Sequence, residues 1–281
     1  MINLKRLKIL TFFLKHPIIR TYKTVHIYQI PIIIIEKLEK YEIQKGREKI
    51  MEITGKTTLT GLIVSPVAHS ISPQMHNEAF RQLGLDYVYL AFDLAGSDLG
   101  TAVRGLRDIG AKGFNVTMPY KVHVLEYMDE LTPAAKIAQA CNTVIIKDGK
   151  LTGHTTDGIG FMSSVSDAGH DIIGKKMTVL GCGGAATAIC TQAALDGVSD
   201  IDIFQLKLPE EFDRALAFAD RVREHTSCNI HIYDFADTEQ MRKSISESAI
   251  LTNATNVGMA PHDDQRSEEH TSELQSPRRI A

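Results

Sequence analysis

The period of apolar and polar positions changes several times along the chain, and each change predicts an element. Residues 59–64 are a short apolar run ending in Ser65-Pro66, which predicts a strand. After it, His69-Ser-Ile-Ser-Pro73 predicts a helix over 74–83, with Ser72 as N-cap and Pro73 at the first helical position. Residues 87–92 read as a second strand. From Ser97 to Ile109, the residues Leu99, Val103, Leu106 and Ile109 recur at helical spacing, and 110–113 close the helix. A third strand is predicted over 113–118. Pro119-Tyr120 then opens a helix carrying Lys121, and residues 128–140 continue helical with a restart at Pro133. Residues 142–147 and 150–153 form a hairpin through Asp148-Gly149.

The pattern repeats in a different key after that hairpin. Met177 to Thr187 is an apolar strand running into a glycine turn and then a helix. Gly181, Gly183 and Ala186 fit G-x-G-x-x-[G/A]: the first glycine makes the turn, the second lets backbone approach a pyrophosphate, and the small third residue lets helix pack on strand. The helix over 186–195 and the next strand over 201–206 complete a βαβ unit, so a dinucleotide is expected at residues 181–185, on the first helical N–H groups. The bland alternative is a glycine turn that only joins two packed elements. The fold class is therefore α/β.

Composition adds bounds. At 281 residues with 43% hydrophobic content the chain suits about two globular domains. Its net charge of −3 supplies no general attraction to nucleic acid or anionic membrane. Cys141, Cys182, Cys190 and Cys228 make no C-x-x-C pair or zinc spacing, so they read as reduced thiols of a cytoplasmic protein and no metal is expected. Cys182, inside the glycine loop, is read as a space-filling residue in preference to a reactive one.

The two ends differ from the middle. Residues 1–29 carry Lys, Arg and His with no acid, and the apolar run 30–35 is too short to span a bilayer. A basic membrane-surface arm is one reading. The preferred one is that residues 1–50 are translated from upstream of a native start at Met51, because Gln44 to Lys49 can all be written with purine-rich codons. Residues 265–281 are polar and aperiodic, and are read as foreign sequence in preference to a disordered native tail.

Polar residues gather at strand ends, where ligands bind in α/β proteins. Ser70 and Ser72 follow the first strand, Asn115 and Thr117 alternate along the third, Lys121 follows it, Asn142 opens the hairpin and Asp157 comes after it. A Lys–Asp pair is a candidate acid/base device. Each residue also has a plainer reading: Ser72 and Thr156 as caps, Asn142 as a turn residue, Lys121 and Asp157 as a surface ion pair.

At these positions the chain resembles the shikimate dehydrogenase family, and more closely its quinate/shikimate branch. The motifs are Ser70-Ile-Ser-Pro73, Asn115-Val-Thr-Met-Pro-Tyr-Lys121, Ala140-Cys-Asn-Thr143, Gly153-His-Thr-Thr-Asp157-Gly158, Gly181-Cys-Gly-Gly-Ala185 and Thr252-Asn-Ala-Thr-Asn-Val-Gly-Met259. The resemblance implies a three-layer α/β substrate domain over 51–152 and a Rossmann domain over 153–264. It implies an NAD(P)-dependent oxidoreductase acting on shikimate or quinate, with Lys121 and Asp157 handling the hydroxyl proton. Ser70 and Ser72 would bind the carboxylate, and Asn115, Thr117 and Asn142 the ring hydroxyls. The cofactor would meet Gly181, Cys182, Gly183, Gly184, Ala185, Gln205, Lys207, Thr255 and Asn256. NADP-specific members carry Asn-Arg-Thr after the second Rossmann strand. Here Gln205-Leu-Lys207 stands there, and the nearest acids, Glu210 and Glu211, lie beyond Pro209, so NAD or both cofactors are expected over strict NADP. Relatives pair through the substrate domain, which makes a homodimer an expectation. Family members also continue beyond Pro261 with further Rossmann elements; lacking these, this chain is expected to be unstable or inactive by itself, unlike the intact gene product. Two rivals stay open: another lysine-dependent two-domain dehydrogenase of the methylene-tetrahydrofolate type, and a non-catalytic sensor of nucleotide and cyclic acid.

Overall fold

The computed structural model describes residues 52–67, 70–255 and 257. The expectations for the upstream segment, for Asn256 and for the polar tail lie outside the described residues.

Among the described residues ten strands form two sheets. The first is mixed, in the order β2-β1-β3-β5-β6-β4, from β1 (Thr58–Val64), β2 (Tyr87–Asp93), β3 (Gly113–Val116), β4 (Glu130–Leu131), β5 (Thr143–Lys147) and β6 (Lys150–His154). β1 runs parallel to β2 and β3, whereas β5 is antiparallel to both β3 and β6. Alternation along β1 feeds two cores. Leu62 and Val64 pack with Phe80 of α1 (Ser72–Leu83), while Ile63 packs with Leu99, Val103 and Leu106 of α2 (Leu99–Asp108). Helix, sheet and helix make the three layers expected. β6 carries this sheet through His154, past the expected boundary at 152.

The second sheet is parallel, in the order β10-β7-β8-β9, from β7 (Lys176–Leu180), β8 (Asp200–Gln205), β9 (Asn229–Asp234) and β10 (Ile250–Asn253). Read from β9, that is the 3-2-1-4 order of a Rossmann unit, whose strand order reverses between β7 and β10. One face packs α5 (Gly184–Asp196) and α6 (Pro209–His225) through Ala186, Cys190, Phe218 and Val222. The other face packs α7 (Thr238–Glu247) through Met241 and Ile245. The two units meet through α3 (Pro133–Ala138) and α4 (Asp157–Asp167): Ile137 joins the second core, and Arg221 Nε donates to its carbonyl at 3.1 Å.

Four local expectations are corrected. Ser72 is the first residue of α1 and not its N-cap, which is Ile71. Ile109 is 68% exposed, because α2 ends at Asp108 and the turn at Gly110, with φ +81°, passes the buried position to Ala111. Residues 128–131 are not helical: Asp129 pairs with Leu151 in both directions, N–H to carbonyl at 2.9 Å and carboxylate to N–H at 2.7 Å, and β4 follows beside β6. Lys121 sits in a turn, where Tyr120 N donates to Thr117 O at 2.9 Å, before a 3-10 segment at His123–Tyr127. No helix among the described residues is long and apolar enough to cross a membrane.

Candidate active site

One edge of the first sheet collects the chemistry. The carboxyl ends of β1 and β3 lie side by side, with Thr117 N donating to Ile63 O at 3.1 Å. β5 runs the other way, so its first residue, Thr143, faces Asn115 on one side and His154, the last of β6, on the other. Asn142 and Thr155 to Asp157 therefore emerge where Thr117 and Lys121 do. The Lys121 backbone is fixed there by Cys141 N donating to its carbonyl at 2.8 Å.

Lys121 Nζ donates to Asp157 Oδ2 at 2.6 Å, and Asn142 Nδ2 donates to Asp157 Oδ1 at 2.6 Å. Asp157 opens α4, where the helix dipole favours a negative charge. The lysine and aspartate side chains are 20% and 14% exposed, so the pair is held by protein yet in reach of water. The pair is therefore partly enclosed and not fully on the surface. Asn142 is 1% exposed, and its Oδ1 accepts from Thr156 N at 2.9 Å and from the hydroxyls of Thr143 and Thr156, each at 3.1 Å. A backbone N–H can only donate, which fixes the amide with its oxygen toward Thr156 and its NH2 toward Asp157. Asn142 is thus a clamp on the carboxylate as well as a turn residue. Thr156 makes no side-chain cap; its hydroxyl serves Asn142 instead.

Asn115 is tied into the sheet below the pair. It is fully buried, its Oδ1 accepts from Tyr89 OH at 2.8 Å, and its Nδ2 donates to Asn142 O at 3.2 Å and Thr143 Oγ1 at 3.0 Å. Burial pushes the Tyr89 hydroxyl far up, so it remains a donor. With its amide engaged by Tyr89, Asn142 and Thr143, Asn115 supports the site from beneath. Sequence spacing offers no sign of Tyr89, which reads as an ordinary strand aromatic. Thr117 is half-buried and its hydroxyl makes no hydrogen bond to another described residue, as a ligand-facing group would. Ser70 precedes α1 and Ser72 opens it, and Ser70 Oγ accepts from Ser72 N at 3.3 Å.

The second sheet fits a dinucleotide. Gly181 has φ +86°, and a Cβ there would strike Thr255 Cγ2 at 2.9 Å, so glycine is required where β7 turns beneath Thr255. At Gly183 and Gly184 an added Cβ would meet nothing within 4 Å, and Gly183 caps α5 without a side-chain bond. Open backbone and uncapped N–H groups at the reversal point form a cradle for a pyrophosphate. Ala186 is fully buried against the sheet, as the third position of the motif requires, and Ala185 is exposed in the first turn. Gln205 is buried at the end of β8, where its amide accepts from Cys182 N and donates to Glu211. Lys207 is exposed, with Nζ 6.0 Å from the Phe212 ring centre. Burial pushes the Cys182 thiol up to about 12 and Cys141 up to about 11, so neither is a thiolate nucleophile at neutral pH. Among the described residues no group of His, Cys, Asp and Glu could hold a metal ion.

Residues 62–144 match the family model of the shikimate dehydrogenase substrate binding domain. Shikimate dehydrogenase (NADP(+)) of Listeria monocytogenes is 53% identical over 218 residues, 77% of this chain and 75% of that protein. The crystal structure of shikimate 5-dehydrogenase from Listeria monocytogenes in complex with shikimate and NAD is 50% identical. It superposes with a TM-score of 0.74, over 80% of this chain and 78% of that one. Quinate dehydrogenase from Corynebacterium glutamicum, in complex with NAD, is 29% identical with a TM-score of 0.64, over 73% of each chain. With that identity over three quarters of a curated relative, the chain belongs to the shikimate dehydrogenase family.

Proposed function

We propose that this protein interconverts shikimate and 3-dehydroshikimate, with Lys121 and Asp157 as its acid/base pair. The observation that carries the proposal is the carboxylate of Asp157 held between Lys121 Nζ and Asn142 Nδ2, each at 2.6 Å. When held by the glycine loop, NAD or NADP would supply the acceptor or donor of hydride. As the substrate hydroxyl is oxidised, two electrons leave its carbon with the hydride and the hydroxyl proton passes to the Lys121–Asp157 pair and then to water. In reduction the ammonium of Lys121 returns a proton to the carbonyl oxygen. Thr117 and the serines at the start of α1 orient the ring and its carboxylate. Asn142 and Asn115 keep the pair in place.

In the same reading residues 51–152 bind substrate and the unit after His154 binds the dinucleotide. A cytoplasmic setting accords with four free cysteines and no disulfide among the described residues. The relatives carry the names of both cofactors, so either dinucleotide is a candidate. The test is steady-state oxidation of shikimate and of quinate, each with NAD and with NADP, by the full-length gene product. Turnover of shikimate with at least one dinucleotide is expected. Turnover of neither acid would refute the proposal.

A further inference from the structure

The spacing of Glu211 in sequence puts it well past the end of β8, but the fold returns it to the strand tip. Gln205, the last residue of β8, accepts from Cys182 N through Oε1 at 2.8 Å and donates through Nε2 to Glu211 Oε2 at 3.2 Å. Because Cys182 N–H can only donate, the Gln205 amide has one orientation, with its NH2 toward Glu211. One buried side chain thus ties the glycine turn to an exposed carboxylate in the first turn of α6. The tip of the second strand of a Rossmann unit is where an acid accepts hydrogen bonds from the adenosine ribose and where an arginine receives a 2′-phosphate. At this tip Glu210 and Glu211 outnumber Lys207 as charged groups.

We propose that Glu211, oriented by Gln205, selects the dinucleotide: it accepts from the ribose hydroxyls of NAD and repels the 2′-phosphate of NADP. Gln205 is a positioning residue, since its own amide is spent on the loop and on Glu211. The inference rests on the dinucleotide reading above and adds which dinucleotide is preferred and why.

The test compares binding of ADP-ribose and its 2′-phosphate by titration calorimetry with kcat/KM for NAD and NADP, in the full-length gene product. The unaltered protein is expected to favour ADP-ribose and NAD. Glu211→Gln removes the charge from an exposed residue and is expected to lower the NAD-over-NADP preference at least tenfold in both readouts. Glu211→Ala should do likewise. Gln205→Met keeps the side chain's length and is expected to shift the preference in the same direction through KM for NAD, with kcat held. An unchanged preference in both Glu211 variants, or a preference moved by Lys207→Ala and not by Glu211→Gln, would overturn the proposal while leaving the dinucleotide reading intact. Failure of both ADP-ribose compounds to bind would overturn the two together.

Discussion

Replacing Asn142 by aspartate isolates the clamp on Asp157. The substitution is isosteric and keeps an oxygen for Thr156 N–H, so the turn between β6 and α4 retains its acceptor. It changes the group 2.6 Å from Asp157 Oδ1 from a donor into a second carboxyl. A hydrogen bond to a charged group is worth about 1.5–3 kcal/mol. Losing it from the reactive arrangement corresponds to roughly 10- to 150-fold in kcat/KM. Two like charges about 4 Å apart near a protein surface also repel by about 4 kcal/mol, which drives the carboxyl pair to retain a proton. The acid limb of the pH–rate profile should therefore move to higher pH in Asn142→Asp. The assay is shikimate oxidation across pH, with thermal melting as the control for folding. A variant that melts like the parent and keeps kcat/KM within twofold, with an unmoved acid limb, would refute the clamp.

Two further predictions follow from packing and charge. Gly158 lies where α4 crosses α5, and a Cβ there would run into the Ala188 carbonyl oxygen and Gln192 Cβ. Gly158→Ala should cost about 1–3 kcal/mol and, by shifting the adjacent Asp157, lower kcat more than tenfold; Gly105→Ala, in open space within α2, should leave both unharmed. The carboxyls of Asp93, Asp98 and Asp200 are held below the usual range, chiefly by hydrogen bonds from Ser65, Thr101 and Ser199. A lowered folded pKa contributes stability above the unfolded value, so Tm should hold from neutral pH down to about pH 5 and fall as pH drops below about 4. A Tm that rises below pH 4 would contradict this.

The glycine loop was legible in the sequence because its constraints are local: a positive φ at Gly181 and a buried small side chain at Ala186 are demands that residue type alone answers. The hairpin was legible for the same reason, with Asp148 and Gly149 both at positive φ. Lys121 and Asp157 showed themselves as polar residues at strand ends. What stayed hidden depends on partners distant in sequence. Neither Tyr89 bonding Asn115 nor Asn142 gripping Asp157 leaves a mark in local spacing, because the strands between them supply the register. The two residues of β4 became a strand only through pairing with β6, which outweighed a helical pattern. Glu211 looked misplaced because a helix start returned it to a strand tip that linear distance could not reveal.

The central claim is that Lys121 and Asp157 move the proton while other groups hold the substrate. The most direct test is Lys121→Ala in the full-length gene product, with shikimate binding measured by calorimetry beside turnover. Acid/base groups typically contribute about 10²–10⁴ in rate, so the account predicts that shikimate still binds while kcat falls at least about a hundredfold. A variant that binds shikimate and turns it over at close to the parent rate would contradict it.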